Sequence, residues 1–257
     1  ICFQKKPMEK NQKQATMVKL VHRILSKFGY SLNRVPISFL GIPVKFNFLK
    51  ENKWLRDLEI DTIIDVGANT GQFAAKARYL FPNSFLYSIE PLPDIFQILE
   101  TRFAGDSKFK GFNIGVGDRP GSFSFFRNSF SDSSSLLPMK ELHKELFPFT
   151  KNEQEITIKV DTLDHLFEGE YLGERILLKM DTQGLERQVI EGGRAILSKS
   201  KILIIEVSFV ELYESQPLFD DIYSILIEMG FRYSGSFDQL ISPKDGQIIQ
   251  ADAMFIR

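Results

Sequence analysis

Residues 62–71, Thr-Ile-Ile-Asp-Val-Gly-Ala-Asn-Thr-Gly, constrain this chain more than any other stretch, because an apolar run of strand length empties into a turn bracketed by Gly67 and Gly71. The segment after the turn, Gln72 to Leu80, places Phe73, Ala74, Ala77 and Leu80 on one face, as an amphipathic helix does. Strand, glycine turn and helix make the first half of a βαβ unit, which commits the chain to a largely parallel sheet covered by helices. The helix start aims its free amides and positive dipole end at the turn, and the two glycines are expected to clear Cβ atoms from a ligand's approach to the backbone. Asp65, Gly67, Ala68, Asn69 and Gly71 are the first candidates for holding a nucleotide-like cofactor.

Ser84 to Ile89 reads as the next strand and ends in Glu90-Pro91, where a carboxylate can hold the hydroxyls of an adenosine ribose. The dinucleotide fingerprint needs G-x-G-x-x-G, whereas here the spacing is Gly67-x-x-x-Gly71, which disfavours a nicotinamide cofactor. Pro91 and Pro93 stop the strand, and Ile95, Phe96, Ile98 and Leu99 begin a helix. A third strand spans Phe109 to Ile114, followed by Gly115-Val116-Gly117-Asp118 and a hairpin from Ser122 to Phe126. Asn113 and Gly115 then either border an adenine ring or serve as turn residues.

The chain has 257 residues, 43% hydrophobic with 24 Phe, enough for one large α/β domain plus an N-terminal extension. A net charge of −1 and a pI near 6.4 offer no polyanion-binding field, so a small molecule or glycan is the expected partner and nucleic acid is not. Cys2 is the single cysteine, so no intramolecular disulfide can form and a cytoplasmic location is expected. No apolar run approaches the ~20 residues that span a bilayer. The start at Ile1 and the polar tract to Ala15 read as a fragment boundary rather than a signal peptide.

Residues 1–59 form the expected extension and linker, and residues 60–257 the main domain. Residues 1–28 carry seven Lys/Arg against Glu9, with Val18, Val21, Leu25 and Phe28 on one helical face. A helix over 17–28 either makes peripheral contact with a membrane or packs on its own domain. Pro36, Gly41 and Pro43 make residues 31–46 irregular linker or short edge strands, and a helix is expected over residues 48–58.

Residues 127–155 change character: five serines surround Asp132, and a polar, helix-prone piece with Leu137, Leu142 and Leu146 follows. A segment this long inside a compact domain reads as a lid over the substrate. Within it, His143 is a candidate base, while the spacing of His22, His143 and His165 does not suit zinc. Ile156, Ile158 and Val160 alternate as a strand before a short helix over Asp161 to Phe167. The β/α rhythm resumes with a buried strand at Ile176–Met180, a helix from Leu185 to Leu197, a strand from Lys201 to Val207 and a helix from Phe219 to Met229. Two closing strands, Phe237 to Ile241 and Ala251 to Ile256, complete a seven-stranded core.

Two signatures together narrow the family. Asp65-x-Gly67-x-x-x-Gly71 resembles motif I of S-adenosylmethionine methyltransferases. Lys179-Met180-Asp181-Thr182-Gln183-Gly184-Leu185-Glu186, continuing to Glu191-Gly192-Gly193, resembles the FkbM family of methyltransferases. Ile89-Glu90-Pro91, Gly117-Asp118, Val160-Asp161-Thr162-Leu163-Asp164 and Glu206 extend the resemblance from about Ile60 to Arg257. It implies a Rossmann-like, doubly wound, mostly parallel sheet with an antiparallel last strand. It also implies S-adenosylmethionine as cofactor and O-methylation of a hydroxyl on a sugar, glycan or natural product. Residues 1–59 and 127–155 lie outside the best-matched motifs.

Methyl transfer needs the acceptor oxygen held near attack distance and its proton removed. Asp181, at the carboxyl end of the central strand, is the first candidate for this work, though Asp is also a favoured helix N-cap. Glu206, at the end of the neighbouring strand, completes a carboxylate pair that would suit an oxygen-liganded Mg²⁺. N-methylation of a nucleobase loses ground because no Pro-Pro-aromatic turn follows the fourth strand. N-methylation of another acceptor and a non-catalytic cofactor-binding module remain as alternatives.

Overall fold

The computed structural model describes residues 37–39, 42–44 and 53–257. The basic helix expected over 17–28, His22 and Cys2 lie outside these residues. β1 (Ile37–Phe39) and β2 (Ile42–Val44) pair antiparallel within the stretch read as linker or short edge strands. Of the helix expected over residues 48–58, the described part is a 3₁₀ stretch, Lys53–Leu58.

The main domain then alternates strand and helix: β3 (Thr62–Val66), α1 (Gln72–Leu80), β4 (Phe85–Ile89), α2 (Pro93–Phe103) and β5 (Phe109–Phe112). The middle of the chain leaves this sheet as β6 (Gly115–Val116), β7 (Gly121–Asn128), α3 (Glu141–Leu146) and β8 (Glu153–Asp161). It returns with α4 (Leu163–Leu166), β9 (Ile176–Met180), α5 (Glu186–Gly192), α6 (Arg194–Lys199) and β10 (Ser200–Ser208). α7 (Phe219–Glu228), β11 (Arg232–Ile241) and β12 (Ile248–Ile256) close the chain.

Seven strands form one sheet in the order β11-β12-β10-β9-β3-β4-β5. β12 runs antiparallel to both its neighbours, and the other pairs are parallel. This is the doubly wound, Rossmann-like sheet with a reversed last strand that the sequence led us to expect. From β3 the chain first winds outward through β4 and β5, then returns to β9 on the other side. The carboxyl ends of β3 and β9 therefore flank a topological switch point, where such sheets open a crevice.

β3 and β9 are buried at every position, as central parallel strands are. Their alternating side chains feed two cores. Ile64, Val66, Leu178, Met180 and Leu203 pack on one face, and Ile63, Leu86, Leu177 and Ile204 pack on the other against Ala74, Ala77 and Leu99. Two charged residues break these apolar runs, Asp65 and Lys179, and they are cross-strand partners.

Three expectations are corrected. The hairpin expected at Ser122–Phe126 is instead β7 paired antiparallel with β8, from Gly121↔Val160 to Asn128↔Glu153. Both strands bring apolar residues to one side, where Phe125, Ile158 and Val160 pack with Leu92, a contact no local turn could supply. The third strand, expected over Phe109 to Ile114, ends at Phe112, and Gly115–Val116 after it pairs parallel with β8. The helix expected from Leu185 to Leu197 breaks at Gly193, because the Gly192-Gly193 pair packs against neighbours: a Cβ on Gly192 would lie 2.0 Å from the Gly117 carbonyl oxygen. Among the described residues no helix is long and apolar enough to cross a membrane.

Candidate active site

The glycine turn after β3 is built by packing. Gly67 has φ +77°, and a Cβ there would lie 1.9 Å from the carbonyl oxygen of Asp181. Gly71 has φ +87°, and its Cβ would lie 2.8 Å from Leu99 Cδ1. Both glycines thus answer a left-handed backbone and a close protein neighbour. The Asp181 amide donates to the Val66 carbonyl at 3.0 Å, so the turns after β3 and β9 are locked together. Asn69 also takes a left-handed φ of 47°, tolerated by its short amide side chain.

Glu90 ends β4 beside this turn. One carboxylate oxygen accepts from the Asn69 amide and the other from the Leu92 amide, both at 2.9 Å. Burial, opposed by these two donors, raises its pKa to about 7. Asp65 is fully buried, and neither of its oxygens receives a hydrogen bond in normal geometry. Burial raises it to about 6, with Lys179 pulling it down and Asp181 pushing it up.

Across the switch point, Asp181 is the centre of a charged network. Lys179 Nζ donates to Asp181 Oδ2 at 2.9 Å, and Gln183 Nε2 donates to Asp181 Oδ1 and to Glu206 Oε2, both at 2.7 Å. Lys179 is almost sealed off, whereas Asp181 keeps 30% of its side-chain surface open. Burial pushes the Asp181 pKa upward, but the Lys179 charge and the hydrogen bonds from Lys179 and Gln183 outweigh it, so the carboxylate is held below its usual range. Glu206 moves the other way, raised well above its usual value by burial and the nearby charges of Asp181 and Asp252. The two carboxyls are thus pushed in opposite directions, with Asp181 the more readily ionised of the pair. Asp181 does not serve as a helix N-cap, its alternative role: α5 starts after Leu185, and Glu186 closes the turn by accepting from the Thr182 and Gly184 amides at 3.1 and 3.2 Å.

The segment between β7 and β8 covers this crevice. Ser131 Oγ accepts from Asn69 Nδ2 at 2.9 Å, and Ser135 Oγ donates to the Gln183 carbonyl at 2.7 Å. The Tyr213 hydroxyl lies 2.9 Å from Gln183 Oε1 and 3.1 Å from the Ser133 carbonyl, joining the segment to the carboxylate pair. His143 is buried edge-on against Phe147 and Tyr213, and its Nδ1 has no partner. Burial, assisted by Lys144, lowers its pKa to about 4, so the ring is neutral at physiological pH.

These groups enclose a cavity of about 570 Å³. Asp65, Gly67, Ala68, Asn69, Glu90, Pro91, Gly115, His143, Asp181 and Glu206 all line it. Gly71 sits behind the lining, and Asn113 turns away, donating to the Glu90 and Pro91 carbonyls at 2.9 and 3.1 Å as a turn residue does. The chemistry of the donor set does not fit the Mg²⁺ expected at Asp181 and Glu206. The Lys179 ammonium already neutralises Asp181, and the Gln183 amide bridges both carboxylates. Among the described residues no group of three His, Cys, Asp or Glu is arranged to hold a metal ion.

Sequence reasoning gave no role to Lys179, Gln183, Tyr213, Gln250 or Asp252, all of which belong to the network or the cavity wall. A signal existed for the last two. Gln250 and Asp252 are polar residues two apart in the otherwise apolar, buried β12, which puts both on one face.

A glycine turn, a strand-end acid and a crevice meet at the switch point of a doubly wound sheet. The chain belongs to the methyltransferase FkbM domain family, whose pattern matches residues 65–233. It is similar to the 2-O-methyltransferase NoeI of Sinorhizobium fredii, with 27% identity over 160 residues, which cover 60% of this chain and 66% of that protein. The chain thus spans just under two thirds of this relative's length. Among solved structures, magnesium protoporphyrin IX methyltransferase from Synechocystis, with S-adenosylmethionine bound, aligns over 82% of this chain and 76% of its own at 10% identity and a TM-score of 0.45. Precorrin-6y C5,15-methyltransferase from Geobacter metallireducens aligns over 86% and 90% at 9% identity and a TM-score of 0.42. Likenesses this loose carry no inference about cofactor or acceptor.

Proposed function

We propose that this chain is an S-adenosylmethionine-dependent O-methyltransferase whose acceptor is a hydroxyl on a sugar, glycan or natural product. The observation that carries the reading is the state of Asp181: an ionised carboxylate, open to the cavity and locked to the glycine turn through Gly67. The FkbM family match and the likeness to a sequence named as a 2-O-methyltransferase support it.

The residues present fit the cofactor. Glu90 keeps lone pairs for ribose hydroxyls beyond the two backbone amides it accepts. Leu92, Ile114 and Val116 give an apolar wall for a purine, and the unpartnered Asp65 carboxylate suits an ammonium. When bound, S-adenosylmethionine supplies an activated methyl group on a sulfonium. Asp181 accepts the hydrogen bond of the acceptor hydroxyl, orients its oxygen and takes its proton. Lys179 keeps Asp181 ionised, and Gln183 fixes its plane. Residues 127–155 act as the lid that excludes water, and residues 60–257 form the catalytic domain.

Calorimetric titration with S-adenosylhomocysteine and with NAD tests the cofactor. Binding of the first and not the second is expected, and tight NAD binding with no S-adenosylhomocysteine binding would contradict the reading.

A further inference from the structure

The lid carries apolar surface that none of the steps above uses. Phe130 and Phe149, 46% and 59% exposed, stand at the mouth of the cavity that contains Asp181, and both line it. Their rings meet edge to face with centroids 5.4 Å apart, and Phe147 follows with its centroid 6.1 Å from that of Phe149. His143 lies edge-on to Phe147 at 5.4 Å and to Tyr213 at 5.3 Å. Tyr213 in turn reaches Gln183, which holds Asp181. A row of rings thus runs from solvent to the carboxylate assigned to the acceptor hydroxyl.

These rings are fixed by their surroundings. Phe130 precedes the 3₁₀ turn Ser131–Ser133, and Phe149 lies inside a second one, Pro148–Thr150. The buried Asn128 side chain ties the two turns together, accepting the Phe130 amide on Oδ1 at 2.9 Å and donating from Nδ2 to the Thr150 carbonyl. The polar groups beside the rings are engaged in the same way. The Phe130 carbonyl accepts from the Ser133 amide at 3.0 Å, and the Phe147 amide donates to the His143 carbonyl at 2.8 Å. Thr150 Oγ1 donates to the Phe147 carbonyl at 2.8 Å, and Ser134 Oγ accepts the Asn128 amide at 3.0 Å. With those groups paired, the rings offer a ligand carbon surface.

Apolar surface gathered and held open at a cavity mouth marks a binding surface. Continuity sets the occupant: the acceptor hydroxyl is held at Asp181 inside the same cavity, so the group that covers the rings is the rest of the acceptor. A run of hydroxyls against these rings would lose water without gaining partners, whereas an alkyl or aryl group gains by leaving water. We propose that Phe130, Phe147 and Phe149 form an apolar acceptor subsite, and that the acceptor is amphipathic, with an alkyl or aryl group beyond the part that bears the methylated hydroxyl. This inference rests on the methyl-transfer reading above and names what the acceptor carries besides its hydroxyl.

The test incubates the full chain with methyl-labelled S-adenosylmethionine and a whole-cell extract, separates the products on a reversed-phase resin, and repeats the transfer with Phe149→Ala and Phe130→Ala. Label is expected in the retained, apolar fraction. Across dilutions of that fraction each variant should raise the apparent KM about tenfold, with a smaller change in kcat, because covering a ring is uniform binding. Phe149→Leu keeps apolar surface at the mouth and should raise it less than about threefold. S-adenosylhomocysteine affinity, measured by calorimetry, should match wild type in every variant, which separates the subsite from misfolding. Label confined to the unretained fraction, or a retained acceptor with the same KM in wild type and variants, overturns the subsite while leaving methyl transfer standing. Loss of a wild-type dimer in Phe149→Ala, read by light scattering, also overturns it by assigning the rings to a contact between copies. Label in no fraction, with S-adenosylhomocysteine still bound, overturns the methyl-transfer reading and the subsite with it.

Discussion

Gly67→Ala is the sharpest perturbation of the site that removes no reacting group. The added Cβ would meet two backbone atoms of Asp181, the carbonyl oxygen at 1.9 Å and the carbonyl carbon at 2.9 Å, in a residue with φ +77°. A left-handed backbone costs a residue with a Cβ ~1–2 kcal/mol. Forcing atoms into packed surroundings adds ~1–3 kcal/mol, for a total of roughly 2–5 kcal/mol. Relief requires the ends of β3 and β9 to part, which strains the 3.0 Å bond between the Asp181 amide and the Val66 carbonyl and displaces Asp181. Gly71→Ala also sits at a positive φ, but it meets side-chain ends of Leu99 and Phe103 that can turn aside, so its cost falls nearer ~1–3 kcal/mol. Gly105 has nothing within 4 Å of its added Cβ, and Gly105→Ala is expected to be neutral or stabilising by up to ~1 kcal/mol. Urea unfolding followed by circular dichroism should rank the three variants in that order, with methyl transfer falling most in Gly67→Ala. A Gly67→Ala protein within ~0.5 kcal/mol of wild type and fully active would refute the claim that the two turns are locked through this contact.

Lys179→Met removes the buried counter-charge of Asp181 and should destabilise the fold by ~3–5 kcal/mol, read as a lower urea midpoint; an unchanged midpoint means the pair is not structurally committed. Glu90, Asp65 and Asp252 have raised folded pKa values, about 7, 6 and 6, so between roughly pH 4 and 7 the folded protein binds more protons than the unfolded chain. Their contribution is full below the unfolded carboxyl range and is lost as pH rises through these values. His143, lowered to about 4, acts in the opposite direction over the same window. Glu90→Gln should therefore flatten the fall of thermal midpoint between pH 4.5 and 7.5, and an identical pH slope in the variant would count against the burial of this carboxylate. Tyr213→Phe strands the buried Gln183 Oε1 and should cost ~1–3 kcal/mol in urea unfolding with S-adenosylhomocysteine affinity retained; a cost near zero would place the phenol outside the network.

The sheet was legible because its strands are pure in pattern. Ile176–Met180 is a short apolar run with one lysine and matches β9 residue for residue, and Gln72 to Leu80 matches α1. Tertiary contacts defeated local reading where the chain left that rhythm. β7 finds its partner in β8 beyond the whole serine-rich segment, and the helix breaks at Gly193, whose backbone leaves the helical region at φ −126° and ψ 19° where a Cβ would meet Leu163. At the site, Glu90 and Asp181 line the cavity from strand ends that the sequence marks, Asp181 also by the motif around it. The charge on Asp181 could not be foreseen, because it depends on Lys179 and on a glutamine in a left-handed conformation, φ 54°, whose amide bridges two carboxylates. The proposed metal failed for the same reason: two acids at neighbouring strand ends look like ligands until the amide and ammonium between them are seen. Tyr213 comes from an irregular loop and carries no periodic signal.

The most direct test is transfer of label from methyl-labelled S-adenosylmethionine to fractionated cell glycans and lipids, run with EDTA, comparing wild type with Asp181→Asn. The expected result is label in alkali-stable methyl ethers, unaffected by EDTA and abolished in the variant, while both proteins bind S-adenosylhomocysteine equally. Full label transfer by Asp181→Asn, or label recovered only on nitrogen, would contradict it.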